Sequence, residues 1–299
     1  MSEPRELYEI VSDVPSGAVL LTDFRGFMDA GSAAEGVSAY LLETFEHELV
    51  ARFDVDGLVD YRSRRPSMTF AADHWEDYDA PRLEIHLLHD ELGTPFLLLS
   101  GSEPDVQWER FVAAVRGLIE RWGVRLTVGM HGIPMGAPHT RPLGVTPHAT
   151  RAELLGNRQS VFNRLRVPGN VAALLELRLG EAGHDAMGFA VHVPHYLAQS
   201  NYPAASVTLL EAVADATGLS VPLDELRDSA REVDAEVDAQ VRASSEVKDV
   251  VEALERQYDM FVDSVERDSL LADESQLPTA DELGAELERF LADQRRGDA

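Results

Sequence analysis

The feature of this sequence that most constrains its fold is an alternation of short apolar runs with amphipathic helical patterns over the first 220 residues. The run at 17–22 is typical of a buried strand, whereas Trp108–Trp122 repeats its apolar residues with the 3.6-residue period of a helix. Strands that alternate with helices predict an α/β sheet covered by helices on both faces. The other elements predicted are helices at 31–48 and 203–217 and strands at 83–88, 95–99, 124–129 and 186–193.

The segment after residue 220 has a different pattern. From residue 221 to the end, 23 acidic and 9 basic residues give a net charge of −14. Its apolar residues recur at spacings of three and four with a polar break near 243–245, which predicts two helices joined there and a further helix after Pro278. We therefore divide the chain into an α/β domain at 1–220 and an acidic helical extension at 221–299. The extension either caps its own α/β domain or bridges subunits as a coiled coil.

Composition excludes several classes of partner and chemistry. The formal net charge of −27, from 53 acidic and 26 basic residues, repels phosphate backbones and anionic lipid, so we expect neither nucleic acid nor a membrane as a partner. The chain has no cysteine, which excludes a disulfide scaffold, thiol catalysis and cysteine-ligated zinc. The N-terminal sequence has no basic segment followed by an apolar one, and no apolar run approaches a membrane span of about 20 residues. We expect a soluble, cytoplasmic protein.

The most unusual stretch is 131–148, which follows a predicted strand and contains His131, His139, Arg141 and His148. A long loop rich in proline and glycine at the carboxyl end of a strand is where open α/β sheets place ligand sites. His195 follows a later predicted strand in the same way, so we expect the four histidines to lie together at the carboxyl edge of the sheet, beside the loop at 29–32. The histidine spacing matches no zinc pattern, so we expect no metal. The stretch is either a pocket for a small molecule or anion, or a structural or interface loop.

A second candidate is the loop that joins the first buried strand to the first long helix. Gly31 and Ser32 open that helix, whose free backbone N–H groups can hold an anion. The loop is neither a dinucleotide-binding glycine motif nor a Walker A loop, because it has no lysine. We expect Ser32 to act as the helix N-cap. Asp29 is either a general base or, as is usual for a loop aspartate, a cap or turn former.

A third candidate is the arginine cluster of Arg62, Arg64 and Arg65, which is conspicuous in a chain this acidic. Such a cluster can clamp a carboxylate or phosphate in bidentate fashion, or it can pair with acidic residues of the same chain or of a neighbouring subunit. We find no nucleophile with an adjacent base, so the sequence assigns no catalytic residue and no cofactor.

Taken in order along the chain, these segments resemble the PAC2 family, whose members are related to proteasome assembly chaperone 2. Each stretch is modestly specific by itself, and the shared order strengthens the resemblance. The acidic helical tail resembles an extension found in the actinobacterial branch of that family. The stretches that carry the resemblance are 19–34, 60–66, 99–108, 131–155 and 193–203.

The resemblance implies a three-layer α/β/α sandwich similar to purine nucleoside phosphorylases and related hydrolases. It also implies self-association, with a trimer favoured, and a role as a chaperone that binds proteasome subunits. Archaeal relatives often end in a hydrophobic–Tyr–X tail that docks on the proteasome, whereas this sequence has Asp298 in the penultimate position. The family offers no shared catalytic residues to carry over.

Two functions remain open at this point. The first is a non-enzymatic, oligomeric binding or assembly factor whose partners are proteins. The alternative is a small-molecule enzyme on a phosphorylase-like scaffold, with arginines and the Gly31 helix start binding an anion and His139 or His195 transferring a proton.

Overall fold

The computed structural model describes residues 3–160, 162 and 164–270, the last eight of these by their backbone only. The described strands are β1 Tyr8–Ile10, β2 Val19–Arg25, β3 His47–Phe53, β4 Met68–Ala71, β5 His74–Tyr78, β6 Leu83–His89, β7 Pro95–Ser102, β8 Leu126–Met135, β9 Val145–Ala149 and β10 Ala186–Pro194. The described helices are α1 Ala33–Thr44, α2 Trp108–Trp122, α3 Val171–Glu181, α4 Pro203–Thr217, α5 Asp224–Ala243 and α6 Ser245–Leu270.

Eight of these strands form one mixed sheet in the order β1-β3-β6-β7-β2-β8-β10-β9. The four inner strands β7, β2, β8 and β10 run parallel, while β1, β3 and β6 on one side and β9 on the other are antiparallel. The parallel strands all end at the same edge of the sheet, which places the loops after β2, β7, β8 and β10 close together. Strands β4 and β5 form a separate two-stranded hairpin.

Helices cover both faces of the sheet, as the alternation predicted. Neighbouring residues of β2 point to opposite faces: Leu21 packs in the core beneath α1 and α4, and Leu20 packs in the core beneath α2 and α3. The result is an α/β/α layering with one apolar core on each side of the sheet. Helix α5 packs on the outside of α4 and adds Leu226 to the first core.

Two sequence predictions about element boundaries were wrong. The first helix ends at Thr44 rather than continuing to 48, because the chain turns and β3 begins at His47. The stretch 131–148 is not one long loop. Residues up to Met135 extend β8 and residues from Val145 form β9, so the loop spans only 136–144.

The described part of the acidic segment consists of α5 and α6, which are separated at Ser244 as the polar break predicted. Both helices pack against the chain's own α/β layers. Val251 of α6 is buried, and the Tyr40 hydroxyl donates to the Pro222 carbonyl oxygen just before α5 at 2.6 Å. The helix predicted after Pro278 lies outside the described residues. No described helix combines the length and apolarity needed to cross a membrane.

Candidate functional site

Asp29 closes the start of α1. Its carboxylate oxygens accept hydrogen bonds from the backbone N–H groups of Ala34 and Glu35, each at 3.0 Å, and from that of Gly132 in β8 at 2.9 Å. Burial raises the pKa of this carboxyl group, and the backbone hydrogen bonds oppose the rise. Asp29 is therefore a helix cap that also ties α1 to the sheet. It occupies the N–H groups that an anion would need.

Gly31 and Ser32 form the turn between Asp29 and the helix. Gly31 has φ 70°, and a side chain there would meet Val193 and Tyr202 at 3.2 Å, so the position needs glycine. Ser32 is in the left-handed region and its side chain makes no capping hydrogen bond. Ser32 occupies the N-cap position, as predicted, but its side chain does not cap the helix, because the Asp29 carboxylate accepts the N–H groups of Ala34 and Glu35 instead.

Asp23, which the sequence analysis did not single out, lies near the end of β2 with only 2% of its surface exposed. Burial raises the pKa of its carboxyl group to about 7, and the nearby Asp29 carboxylate adds to the rise. The two neighbouring acids differ in role: the Asp29 carboxylate accepts backbone hydrogen bonds, whereas Asp23 keeps its proton to a much higher pH than a free aspartate does. A charged residue at the end of an apolar run was the signal available in the sequence.

His139 lies in the loop after β8 and is held by α5. The Tyr196 hydroxyl accepts a hydrogen bond from the His139 backbone N–H at 2.8 Å and lies 2.7 Å from Nδ1. Because the Asp238 carboxylate, 3.3 Å from Nε2, can only accept, the ring proton lies on Nε2, and Nδ1 of the neutral ring then accepts from the Tyr196 hydroxyl. His195 is exposed and lies edge-on to the Tyr196 ring. These two histidines meet at Tyr196, at the carboxyl edge of the sheet.

Arg141 fastens α6 to the same loop. Its guanidinium makes two 2.8 Å hydrogen bonds to the carboxylate of Asp259 and reaches Glu255 at 3.4 Å. The Thr140 hydroxyl donates to Glu255 at 2.5 Å, and the Tyr258 hydroxyl donates to the Pro142 carbonyl oxygen at 3.0 Å. Residues 121–152 contain no acid at all, so the acidic helices supply the carboxylates that this loop lacks.

His131 and His148 lie elsewhere, on the sheet face that α3 covers. They stand in β8 and β9 on either side of β10, with ring centroids 6.0 Å apart, and the His148 ring lies over Gly188, where any side chain would collide with it. Nδ1 of His148 lies 2.8 Å from a Glu176 carboxylate oxygen. Burial lowers the pKa of His131 to about 4, and His148 adds to the fall, so His131 is neutral at physiological pH. The expected convergence of four histidines is therefore two separate pairs.

The three arginines of the cluster differ in role: one forms hydrogen bonds within the chain, and the other two are exposed. Arg64 donates to the backbone oxygens of Arg25, at 2.8 Å, and Glu103, and it pairs with Asp105 at 2.6 Å. Arg62 and Arg65 are exposed and form no ion pair with any described residue. Arg64 thus joins the loops that follow β2 and β7, and it is not available to clamp a ligand.

Glu103 joins the same loops from inside. Its buried carboxylate accepts hydrogen bonds from the Phe27 N–H at 3.0 Å and from the Val171 N–H at the start of α3 at 2.9 Å. Within the described ranges, no group of three or more histidine, aspartate or glutamate side chains is placed to hold a metal ion. Sequence reasoning missed the residues that bind or join the predicted ones, which are Glu103, Asp105, Glu176, Tyr196, Asp238, Glu255 and Asp259.

A mixed eight-stranded sheet between two helical layers, with acidic helices tied across its carboxyl edge, defines the structural class of this protein. The family model of the PAC2 family matches residues 24–241, and the chain belongs to that family. The match crosses residue 220 and so includes most of α5 as well as the α/β layers.

Three solved structures show how similar its relatives are. A Mycobacterium tuberculosis protein of unknown function is 48% identical, with a TM-score of 0.86 over 90% of this chain and 94% of its own. A Corynebacterium glutamicum protein of unknown function is 39% identical, with a TM-score of 0.81 over 86% and 99%. A Mycobacterium tuberculosis proteasome-assembly chaperone homologue is 25% identical, with a TM-score of 0.72 over 78% and 99%. A search among curated proteins finds no match.

Proposed function

We propose that this protein is a non-enzymatic, homo-oligomeric assembly factor of the cytoplasm that binds other proteins, with proteasome subunits as the first candidates. A trimer is the oligomer we favour, and we assign it no cofactor, nucleic acid or membrane partner. The observation that carries the proposal is that three candidate residues at the carboxyl edge of the sheet, where a small-molecule site on such a fold would lie, are already bound to other groups of the chain.

These contacts occupy the groups that a substrate would need. Asp29 accepts three backbone N–H groups, His139 lies between Tyr196 and Asp238, and Arg141 is paired with Asp259. A substrate anion would have to displace these contacts, several of which are charge-assisted, before it could bind. In our proposal the segment from residue 221 caps the domain at 1–220 and stabilises it.

The relatives support a role in assembly. One of the solved structures similar to this chain is described as a proteasome-assembly chaperone homologue. Since one fold can host many functions, the likeness alone does not assign the activity, and the proposal also relies on the internal partners of Asp29, His139 and Arg141. The two together favour a protein partner over a small-molecule substrate.

The β4–β5 hairpin supports self-association. Met68, Phe70, Trp75 and Tyr78 share one face of it, because the extra residue Asp77 forms a bulge that returns Tyr78 to the side of Trp75. All four side chains are more than half exposed, and Trp75 is 65% exposed. An apolar patch of this kind on a soluble chain marks an interaction surface. We propose that it packs against another copy of the chain.

Two measurements test the proposal. Light scattering of the full chain should give a multiple of 32.9 kDa, with three copies as the favoured mass. Trp75→Ala should lower that mass, whereas Leu92→Ala, which truncates an apolar side chain that is 79% exposed elsewhere, should not. Purified proteasome subunits from the same organism should form assembly intermediates faster with the protein than without it. A monomer at all concentrations, or an unchanged assembly rate with no complex formed, contradicts the proposal.

The enzyme alternative has one observation in its favour. Asp23 is a buried carboxyl group whose pKa is raised to about 7, and groups perturbed in this way cluster at functional sites. If it served a phosphorylase-like reaction, phosphate or a nucleoside would bind the folded state and raise the melting temperature saturably. Asp23→Asn would then abolish that rise, and we expect no such rise in the wild-type protein.

A further inference from the structure

A second exposed surface includes part of the segment that joins β9 to α3. Residues 154–175 contain no acid in a chain whose net charge is −27. Arg164 and Arg166 lie in this stretch, are exposed, and form no ion pair with any described residue. Arg158 of the same stretch does find a carboxylate, at Asp215. The two outer arginines are therefore positive charges that the chain leaves uncompensated.

Apolar side chains accompany these arginines. Leu165 and Val167 alternate with them in the sequence and are 47% and 68% exposed. The backbone of residues 164–169 makes no hydrogen bond to the described part of the chain. A segment with free backbone groups, alternating cations and apolar side chains can pair with an extended chain laid beside it.

Two further exposed apolar residues belong to the loops that the Glu103 carboxylate ties to the start of α3. That carboxylate accepts the N–H groups of Phe27 and Val171, so the loop after β2 and the start of α3 meet at one buried side chain. Val106 follows Glu103 by three residues, and Gly169 lies against the ring of Trp108. Phe27 and Val106 are each about half exposed. We call the surface of Phe27, Val106, Arg164, Leu165, Arg166 and Val167 the edge patch.

We propose that the edge patch binds an extended, acidic segment of a partner protein, one in which aspartate or glutamate alternates with large apolar side chains. Charge complementarity selects this occupant. The arginines attract carboxylates, and the apolar residues between them gain free energy when apolar side chains of a partner cover them. The strongly negative remainder of the molecule repels a long phosphate backbone. The inference rests on the proposed assembly function, for which it names the chemistry of the client segment.

The test uses the full-length chain and a fluorescein-labelled ten-residue peptide in which Asp and Glu alternate with Leu and Phe. We expect saturable binding by fluorescence anisotropy that weakens at least tenfold in R164E/R166E and clearly in Leu165→Ser/Val167→Ser. The control R5E/R121E reverses two exposed arginines that also form no ion pair with a described residue, and it should bind as the wild type does. A peptide with Lys and Arg in place of the acids should not bind.

Several results would overturn the proposal. Equal binding by R164E/R166E and the wild type would show that the patch is not the site. Dissociation of R164E/R166E to 32.9 kDa would show that the patch is a contact between copies of the chain. Competition by a single-stranded oligonucleotide as effective as that by unlabelled acidic peptide would show a general anion site.

The assembly assay separates this proposal from the proposed function. If the wild type accelerates proteasome assembly and R164E/R166E does so equally, the function stands and the edge patch fails. If R164E/R166E loses peptide binding while the wild type has no effect on assembly, the edge patch stands and the proteasome role fails. If both readouts fall together in R164E/R166E and in no control, both proposals hold.

Discussion

Two stretches of this molecule contain arginine and few acids, but the arginine is paired with carboxylates in one of them and exposed without a partner in the other. In the loop after β8, Arg141 is held by two carboxylates of α6, and its neighbour His139 is enclosed by Tyr196 and Asp238. In the stretch before α3, Arg164 and Arg166 extend into solvent with exposed apolar neighbours. Both are short of acids in sequence, so local composition does not decide which cations find partners. The position of the acidic helices decides it, because α6 supplies carboxylates to Arg141 and no described carboxylate of α5 or α6 pairs with Arg164 or Arg166.

The comparison separates side chains that hold the fold from side chains that are free to bind. Removing a buried or paired polar group leaves its partner without compensation, which costs stability. Removing an exposed, unpaired arginine removes nothing that the fold uses. Substitutions of the buried or paired residues Asp23, Asp29 and Arg141 should therefore change stability or local opening, whereas substitutions at the edge patch should change only binding.

The largest effect expected among the buried or paired residues is the pH dependence of folding stability that Asp23 causes. Its pKa rises from 3.8 in the unfolded chain to about 7 in the folded one, so between these values the unfolded state loses a proton that the folded state keeps. Stability should fall as pH rises from 4 to 7, by up to about 4 kcal/mol for a shift of about three pKa units. Asp23→Asn should flatten that part of the curve in urea unfolding, and the exposed control Asp79→Asn should leave it unchanged. The same slope in Asp23→Asn and the wild type would contradict the assignment.

Asp29→Ala should have the next largest effect. The substitution leaves two N–H groups of α1 and one of β8 without their acceptor, and loss of a helix cap with a second buried hydrogen bond costs about 2 kcal/mol. Ser32→Ala is the matched control, because Ser32 makes no capping hydrogen bond. Denaturant unfolding should show a lower midpoint for Asp29→Ala and one near that of the wild type for Ser32→Ala. If Ser32→Ala is the more damaging of the two, our description of the cap is wrong.

The helices that the sequence predicted best are those with amphipathic patterns and clear ends. Helices α2 and α4 have the predicted bounds, and Gly123 and Gly218 end them in the left-handed conformation. Helix α3 was not predicted, because it buries only Val171, Leu175 and Leu179 and its apolar signal is short. The edge strand β1 and its neighbour β3 were missed because exposed polar residues interrupt their apolar pattern.

The sequence indicated several residues of the candidate site, such as Asp29 and Arg141, but not the side chains that they contact. Asp29 as a cap follows from what loop aspartates usually do, and the sequence analysis kept that option open. The choice of Asp259 for Arg141, out of 53 acidic residues, depends on where α6 crosses the loop after β8, and nothing local to either residue encodes it. The separation of the histidines into two pairs likewise required the strand order, since His148 lies in a strand antiparallel to its neighbour.

A smaller effect should distinguish two arginines of the same acid-free stretch. Arg158 pairs with Asp215, donates to the Leu155 carbonyl oxygen and lies over the Phe189 ring at 5.9 Å, whereas Arg166 does none of these things. Arg158→Ala should lower the free energy of unfolding by about 1 kcal/mol, and Arg166→Ala by less than about 0.5 kcal/mol. Equal losses in chemical denaturation would mean that the exposed arginine has a structural partner, which would weaken the case for the edge patch.

The smallest change in global stability, and the most direct test of the comparison, concerns Arg141. Its removal leaves Glu255 and Asp259, one helical turn apart, as unneutralised like charges on the face of α6 that meets the loop. The Tyr258 hydroxyl and buried Val251 still hold the helix, so α6 should open locally while the sheet stays folded. Hydrogen exchange of the α6 amides should therefore quicken several-fold in Arg141→Ala, and high salt should produce part of the same change in the wild type by screening the pairs. Arg166→Ala should leave α6 exchange unchanged, because its guanidinium contacts no described carboxylate. If α6 exchanges equally fast in the wild type and in Arg141→Ala, the ion pairs do not hold α6 on the loop after β8. The difference between that loop and the edge patch would then have to come from apolar packing alone.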